Sequence, residues 1–206
     1  MAVRTVTSGA PLPTSSLYTV SADNPNAPLV QTDPAFTNYQ QWLGSDYMLT
    51  QLGANPATTL KRLGDGFYEA QLVQQQVAQL TDRQFLGDYS NQEQQYQALM
   101  DAGISYAQQF NLQPGVALSS QQMAQLTSDI VWLVKQDVTL PDGSVQTVLT
   151  PRVYVVAQPG DLSVDGALIS GNSVVINSGA NDVINSGTIA GRNAVQIGAN
   201  NRPMRP

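Results

Sequence analysis

Residues 160–201 repeat themselves with a period of 21. Shifted by that amount, Leu162 falls on Val183, Gly166 on Gly187, Leu168 on Ile189, Asn172 on Asn193, Val174 on Val195 and Ile176 on Ile197. A fixed period near 20 residues, with aliphatics two apart, is what a stack of β-coils requires. Alternate strand residues point inward and pile on their equivalents in the next coil. Gly and Asn turn the corners because they tolerate positive φ at low cost. A 20-residue register competes, pairing Ile169 with Ile189 and Gly171 with Gly191, but 21 keeps both later aliphatics in step. Two ordinary hairpins are the plain alternative. Since solenoids need roughly three or more repeats to close a core, about two coils here must continue further or rest on a folded cap.

Ahead of the repeat the pattern is different. Pro11, Pro13, Pro25 and Pro28, with Pro34 just beyond, keep residues 1–31 out of helix and make them an extended arm. Leu17–Val20 suits a short edge strand. A helical block follows over 32–128. Asp33-Pro34 opens one helix through Phe36, Tyr39, Trp42 and Leu43, and Ser45 caps a second through Met48, Leu49 and Leu52. Asn55-Pro56 opens a third that ends before Gly64. After Gly64-Asp65-Gly66, the residues Phe67, Ala70, Val73, Val77 and Leu80 recur at helical spacing. Ser90 and Glu93 have the form of a capping box, and Ser119 with Gln122 repeats it. Residues 129–158 then turn β-branched and aromatic. Ile130–Val134, Val138–Leu140, Val145–Leu149 and Val153–Val156 flank the turn Pro141-Asp142-Gly143, which predicts an antiparallel hairpin or three-stranded sheet. The fold class is therefore α+β: arm (1–31), helical block (32–128), small antiparallel sheet (129–158), the start of a right-handed parallel β-helix (159–201) and a tail (202–206).

What the chain lacks narrows its chemistry. It has no cysteine and no histidine, so disulfides, thiol chemistry, imidazole metal sites and Ser-His nucleophiles are all absent. The net charge of −6 argues against nucleic acid as a partner, which wants a basic stripe. No apolar run reaches the length of a membrane span, and Met1–Val6 is not a signal peptide, so as written the chain carries no export address. Polar character comes instead from uncharged groups, with sixteen Gln between Gln71 and Gln125.

Asp65 and Glu69 could form the carboxylate pair of a glycosidase. Both nevertheless sit where acids cap a helix and favour its dipole. Arg62 ends the preceding helix within reach of Asp65, a structural role shared by Gly66 at the turn. Asp161, Asp165 and Asp182 hint at calcium, but the glycine-aspartate nonapeptide is missing. Trp42, Tyr47, Phe67, Tyr68, Tyr96, Tyr106 and Trp132 could line a sugar groove, although most fall on core faces. No catalytic residue, cofactor or metal is expected. The site residues are structural: Arg62, Asp65, Gly66, Ser90 and Glu93 at turns and caps, and Leu162, Leu168, Val174, Ile176, Val183, Ile189, Val195 and Ile197 in the β-helix core.

The stretches Leu12–Tyr18, Thr32–Tyr39, Trp42–Met48, Lys61–Glu69, Gln95–Gly103, Pro114–Leu118, Leu126–Val134, Thr139–Gly143 and Asn185–Arg192 resemble a piece of the filamentous-haemagglutinin-like exoproteins. These are the passengers of two-partner (type V) secretion in Gram-negative bacteria, including adhesins and contact-dependent growth inhibition proteins. The resemblance covers Leu12 to about Asn201. It implies a helical module interrupting a long β-helix, central in the parent and upstream of haemagglutinin repeats. The partners implied are an outer-membrane transporter, reached through the parent protein, and a host or target-cell surface. The location implied is secreted or cell-surface. No secretion domain, further repeats or toxin accompany it, so a fragment is expected. The expectation is a non-enzymatic structural and interaction module that neither binds nucleic acid nor spans a membrane. Export arrest or surface recognition is the alternative, and a sugar-acting enzyme using Asp65 or Glu69 comes third.

Overall fold

The computed structural model describes residues 3–36, 42–157, 168–177 and 188–198. They divide into two compact units, 1–157 and 158–206.

In the first unit, three short strands lie along the arm: β1 (Val3–Thr5), β2 (Tyr18–Val20) and β3 (Val30–Thr32). The helices are α1 (Ser45–Gln51), α2 (Gly66–Thr81), α3 (Gln92–Phe110) and the short α4 (Ser120–Ala124). Two long strands follow, β4 (Ile130–Thr139) and β5 (Val145–Val156). They pair antiparallel from Ile130↔Tyr154 to Thr139↔Val145. The turn between them needs Gly143 at φ 84°, a left-handed conformation that glycine adopts at little cost.

The third strand of this sheet comes from the far end of the sequence. β1 pairs antiparallel with β5 through Val3↔Val156 and Thr5↔Tyr154, giving the order β1-β5-β4. Local pairing alone could not have supplied it, and the arm is correspondingly less free than its prolines imply. β5 runs unbroken through Pro151, where two separate strands were expected. Proline is normally confined to edges because it offers no N–H to a ladder. The pairing of β1 ends at Tyr154, and beyond it a side chain takes the neighbouring strand's place. The Gln76 carboxamide donates to the Pro151 carbonyl at 2.9 Å and accepts from Val153 N–H at 2.9 Å. Further along, Leu149 N–H donates to the Lys61 carbonyl and Leu63 N–H to the Leu149 carbonyl. Residues 61–63 in turn receive Leu29 and Val30, so the ladder extends to β3 and β2.

That ladder explains one departure. Residues from Asn55 onward form turns capped by the Asn55 side chain, followed by an extended segment, and not a third helix. The backbone groups of 61–63 are needed by the sheet. The expected helix after Asp33 is a single 3-10 turn, Pro34–Phe36, and Tyr39 lies outside the described residues. Ser45 is the first residue of α1 and not its cap, which is Gly44.

Helix α3 packs on β4, and α2 on β5. Gly103 lets α3 approach: a Cβ there would collide with the Val131 carbonyl oxygen. On another side, Trp132 Nε1 donates to the Val116 carbonyl and the Tyr154 hydroxyl accepts from Leu118 N–H. Ile130–Val134 are consequently buried without alternation, and Trp132, Tyr96 and Tyr154 anchor the main core. A second cluster, including Leu29, Val30, Leu63, Tyr68, Leu72 and Val148, lies under the arm.

The second unit contains β6 (Leu168–Asn177) and β7 (Thr188–Gly198), which pair in parallel. Both registers read from the sequence occur. Ile169↔Ile189 and Gly171↔Gly191 are 20 apart, and Val174↔Val195 and Ile176↔Ile197 are 21 apart, with an irregularity between Gly171 and Ser173. Leu168 therefore faces Thr188 and not Ile189, because the extra residue is absorbed inside β7. Leu162, Val183, Asp161, Asp165 and Asp182 lie outside the described residues.

Candidate functional site

The candidate carboxylates sit at the start of α2, and each is committed to a separate junction. Asp65 caps α2 by accepting from Tyr68 N–H at 3.0 Å. It also accepts from Thr32 N–H at 2.5 Å and from the Thr32 hydroxyl at 2.9 Å, which ties β3 to the helix. Beside it, Gly66 lies so close to the Trp42 and Leu43 carbonyls that a Cβ would meet the former at 2.5 Å. One turn on, Glu69 is fully buried. Its carboxylate accepts from Ser45 N–H at 2.7 Å, the Ser45 hydroxyl at 2.6 Å and the Tyr96 hydroxyl at 2.9 Å. This one side chain joins α1, α2 and α3.

The electrostatics of Glu69 follow from opposed effects. Three donors to a carboxylate favour its charged form and pull the carboxyl down. Burial works the other way and wins, pushing Glu69 up to about 7, with nearby Asp46 adding to the rise. The Tyr96 hydroxyl is raised well above its ordinary value, first by burial and then by Glu69. This pair can store a proton near neutrality, but solvent does not reach it.

Arg62 does not meet Asp65 as expected. Its Nε lies 2.6 Å from Asp46 Oδ1, an ion-pair contact without hydrogen-bond alignment, and its Nη1 donates to the Pro56 carbonyl at 2.8 Å. The neighbouring Lys61 is also buried and donates to the Asn24 carbonyl, and burial lowers its ammonium from the ordinary value. Both cations pin loop carbonyls, which sequence spacing could not reveal because those loops lie up to 37 residues away. Ser90 is not the cap of α3. Asn91 is, accepting from Gln94 N–H at 2.8 Å, with Glu93 in the first turn. The box at Ser119 and Gln122 is formed as read.

A concavity near these groups was not anticipated. A cavity of about 610 Å³ opens between arm residues 6–14, helix α2 and the β4–β5 hairpin. Gln71, Gln75 and Gln79 line it from successive turns of α2, and the facing aromatics are Tyr18 and Tyr68. The two rings meet edge to face at 5.1 Å, and the Tyr18 hydroxyl donates to Gln71 Oε1 at 2.5 Å. Arg152 is the one charged residue in the lining. Burial raises the Tyr68 hydroxyl to about 12, so both phenols stay neutral. The Gln-rich helix face was the available signal; that the arm folds back over it was not legible. Of the aromatics proposed for a sugar groove, Tyr68 lines this cavity while Tyr96 and Trp132 are core. Among the described residues, no group of three or more acidic side chains is placed to hold a metal, and no helix is long and apolar enough to cross a membrane.

No family model matches the chain. No solved structure matches it either. Curated proteins do. Toxin CdiA of Yersinia pestis is 42% identical over 170 residues, 82% of this chain and 5% of that protein. The tRNA nuclease CdiA-2 of Burkholderia pseudomallei (strain 1026b) is 42% identical over 185 residues, 89% of this chain and 6% of that protein. The 16S rRNA endonuclease CdiA of Enterobacter cloacae subsp. cloacae is 33% identical over 189 residues, 91% of this chain and 5% of that protein. The chain thus spans about a twentieth of the relatives it matches. Their names overturn three expectations: a non-enzymatic module, no enzyme, and no nucleic acid as partner. The physical reason lies in scale. Net charge and missing histidine were read from 206 residues, and neither constrains the chemistry of proteins many times longer.

Proposed function

We propose, because the chain belongs to the contact-dependent growth inhibition exoproteins named CdiA, that it is a segment of a nucleic-acid-cleaving toxin. The observation that carries this reading is similarity along most of the chain to cell-surface exoproteins, two of which carry nuclease names. Those two match over overlapping stretches of this chain, yet one name specifies tRNA and the other 16S rRNA. That difference supports placing substrate choice in residues the two proteins do not share. It fits the geometry as well, since Glu69, the group best poised for proton transfer, is sealed from any phosphodiester.

The test is a co-culture. Cells expressing the parent reading frame are mixed with susceptible cells, and the tRNA, rRNA and DNA of the latter are resolved on gels. Loss of target growth with cleavage of one nucleic-acid class is expected. Growth loss with all three classes intact would sink the proposal. The second unit we read as the opening coils of a right-handed parallel β-helix, a reading supported by the parallel pairing of β6 and β7.

A further inference from the structure

We infer that α1 is a latch, held closed over α2 and α3 by a single proton on Glu69. The geometry of the junction carries this. Helix α1 has only 7 residues, and Gly44 at its cap position brings no side chain to the free N–H groups of the first turn. Glu69 supplies the missing cap from α2, accepting from Ser45 N–H and the Ser45 hydroxyl. The same stretch of backbone is the wall that seals Glu69, for a Cβ on Gly44 would stand 3.3 Å from Glu69 Oε2. Beyond the other end of α1, Gly53 turns the chain at φ 74° with open space around it. Glycine thus flanks the helix on both sides, where a hinge needs freedom.

The groups around Glu69 decide which protonation state keeps the latch shut. Asp46 faces it from α1, Tyr96 from α3, and Asp65 and Tyr68 lie at the start of its own helix. Arg62 is turned to Asp46, and Tyr47 donates to Asp101. Among the described residues no cation meets the Glu69 carboxylate. Protonated, Glu69 donates from Oε1 to Ser45 Oγ across the 2.6 Å contact, while Oε2 still accepts from Ser45 N–H and the Tyr96 hydroxyl. Ionised, it is a buried anion beside Asp46, and moving Gly44 and Ser45 aside hydrates it. The proton then passes to solvent, and Met48 and Leu49, buried in the closed form, are uncovered. Burial raises Glu69 from 4.5 to about 7, so closure is firmest below 4.5 and weakens as pH rises to 7.

Native-state hydrogen exchange on the full chain tests this. The probes are the amides of Leu52 and Ala54, which donate to the carbonyls of Met48 and Leu49. Corrected for intrinsic rates, their protection should fall roughly seventyfold from about pH 5 to about pH 8. Low urea should leave it unchanged, because a local opening exposes little surface. The Leu149 amide, which donates to the Lys61 carbonyl, should instead respond to urea as the whole unit does. Glu69→Gln places a neutral donor where the proton sits and should hold α1 shut at both pH values. Probes that follow Leu149 in urea overturn the inference, since α1 then opens only with the whole unit. So does protection that is the same at both pH values, or a fall that survives the substitution. The urea comparison uses the unsubstituted chain and stands whether or not the variant folds.

Discussion

Glu69 shows how far a single residue can be read from sequence. Its place in the first turn of α2 was legible from the glycines and Asp65 before it. Its burial was not, because the groups that enclose it, Ser45 and Tyr96, come from 24 and 27 residues away. Burial raises its folded value to about 7, so the folded state takes up a proton at lower acidity than the unfolded chain does. Stability is accordingly highest below the unfolded value and falls as pH rises from about 4.5 to 7, by on the order of 3 kcal/mol. Thermal melts should show this decline, and Glu69→Gln should flatten it. A decline that survives the substitution assigns the effect to another group. Gly103 is a second test at this scale. In an exposed helix interior, alanine gains about 1 kcal/mol over glycine. Here the collision with Val131 should reverse the sign, and denaturant unfolding of Gly103→Ala should show a net loss of about 2 kcal/mol.

Between elements, the informative case is Pro151. The sequence reading placed two strands around it, Val145–Leu149 and Val153–Val156, where the structure has one. A proline weakens a ladder by removing a donor, and what holds the strand together comes from outside it, in the carboxamide of Gln76. Periodicity marks α2 as amphipathic and says nothing about which of its many glutamines turns inward. Gln76→Leu keeps the volume and leaves the Pro151 carbonyl and Val153 N–H unpaired. It should cost about 3 kcal/mol and speed exchange of the Val153 amide. Unchanged exchange there shows that the strand does not depend on the side chain. For β6 and β7, aliphatic spacing gave a choice of two registers, and an irregularity admits both. Cross-strand NOEs should therefore join Ile169 to Ile189 and Val174 to Val195. NOEs joining Leu168 to Ile189 contradict the pairing.

For the molecule as a whole, α1 to α4 and the hairpin were legible because their signals are local, while the helices expected after Asp33 and Asn55 did not form. The arm's role as a strand and groove wall was not, since its partners lie 53 or more residues on and, for β1, about 150. Residues up to Ala157 form a compact unit with two hydrophobic clusters of their own. A chain ending at Ala157 should then melt within about 3 °C of the full chain, the equivalent of roughly 1 kcal/mol at this size. A larger drop in calorimetry means the first unit is not self-sufficient.

The pairing of Val3 with Val156 also has a consequence in time. A polypeptide leaves the ribosome from its N-terminus, at about 5–20 residues per second. Residues 3–5 are thus made well before their partner, since the strand they complete is finished some 150 residues later. For several seconds the first strand has no template, and the groove wall built from residues 6–14 has nothing to lean on. The unit closes like a clasp, only once both ends are present, so a chain halted before residue 145 carries its helices but neither the sheet nor the site.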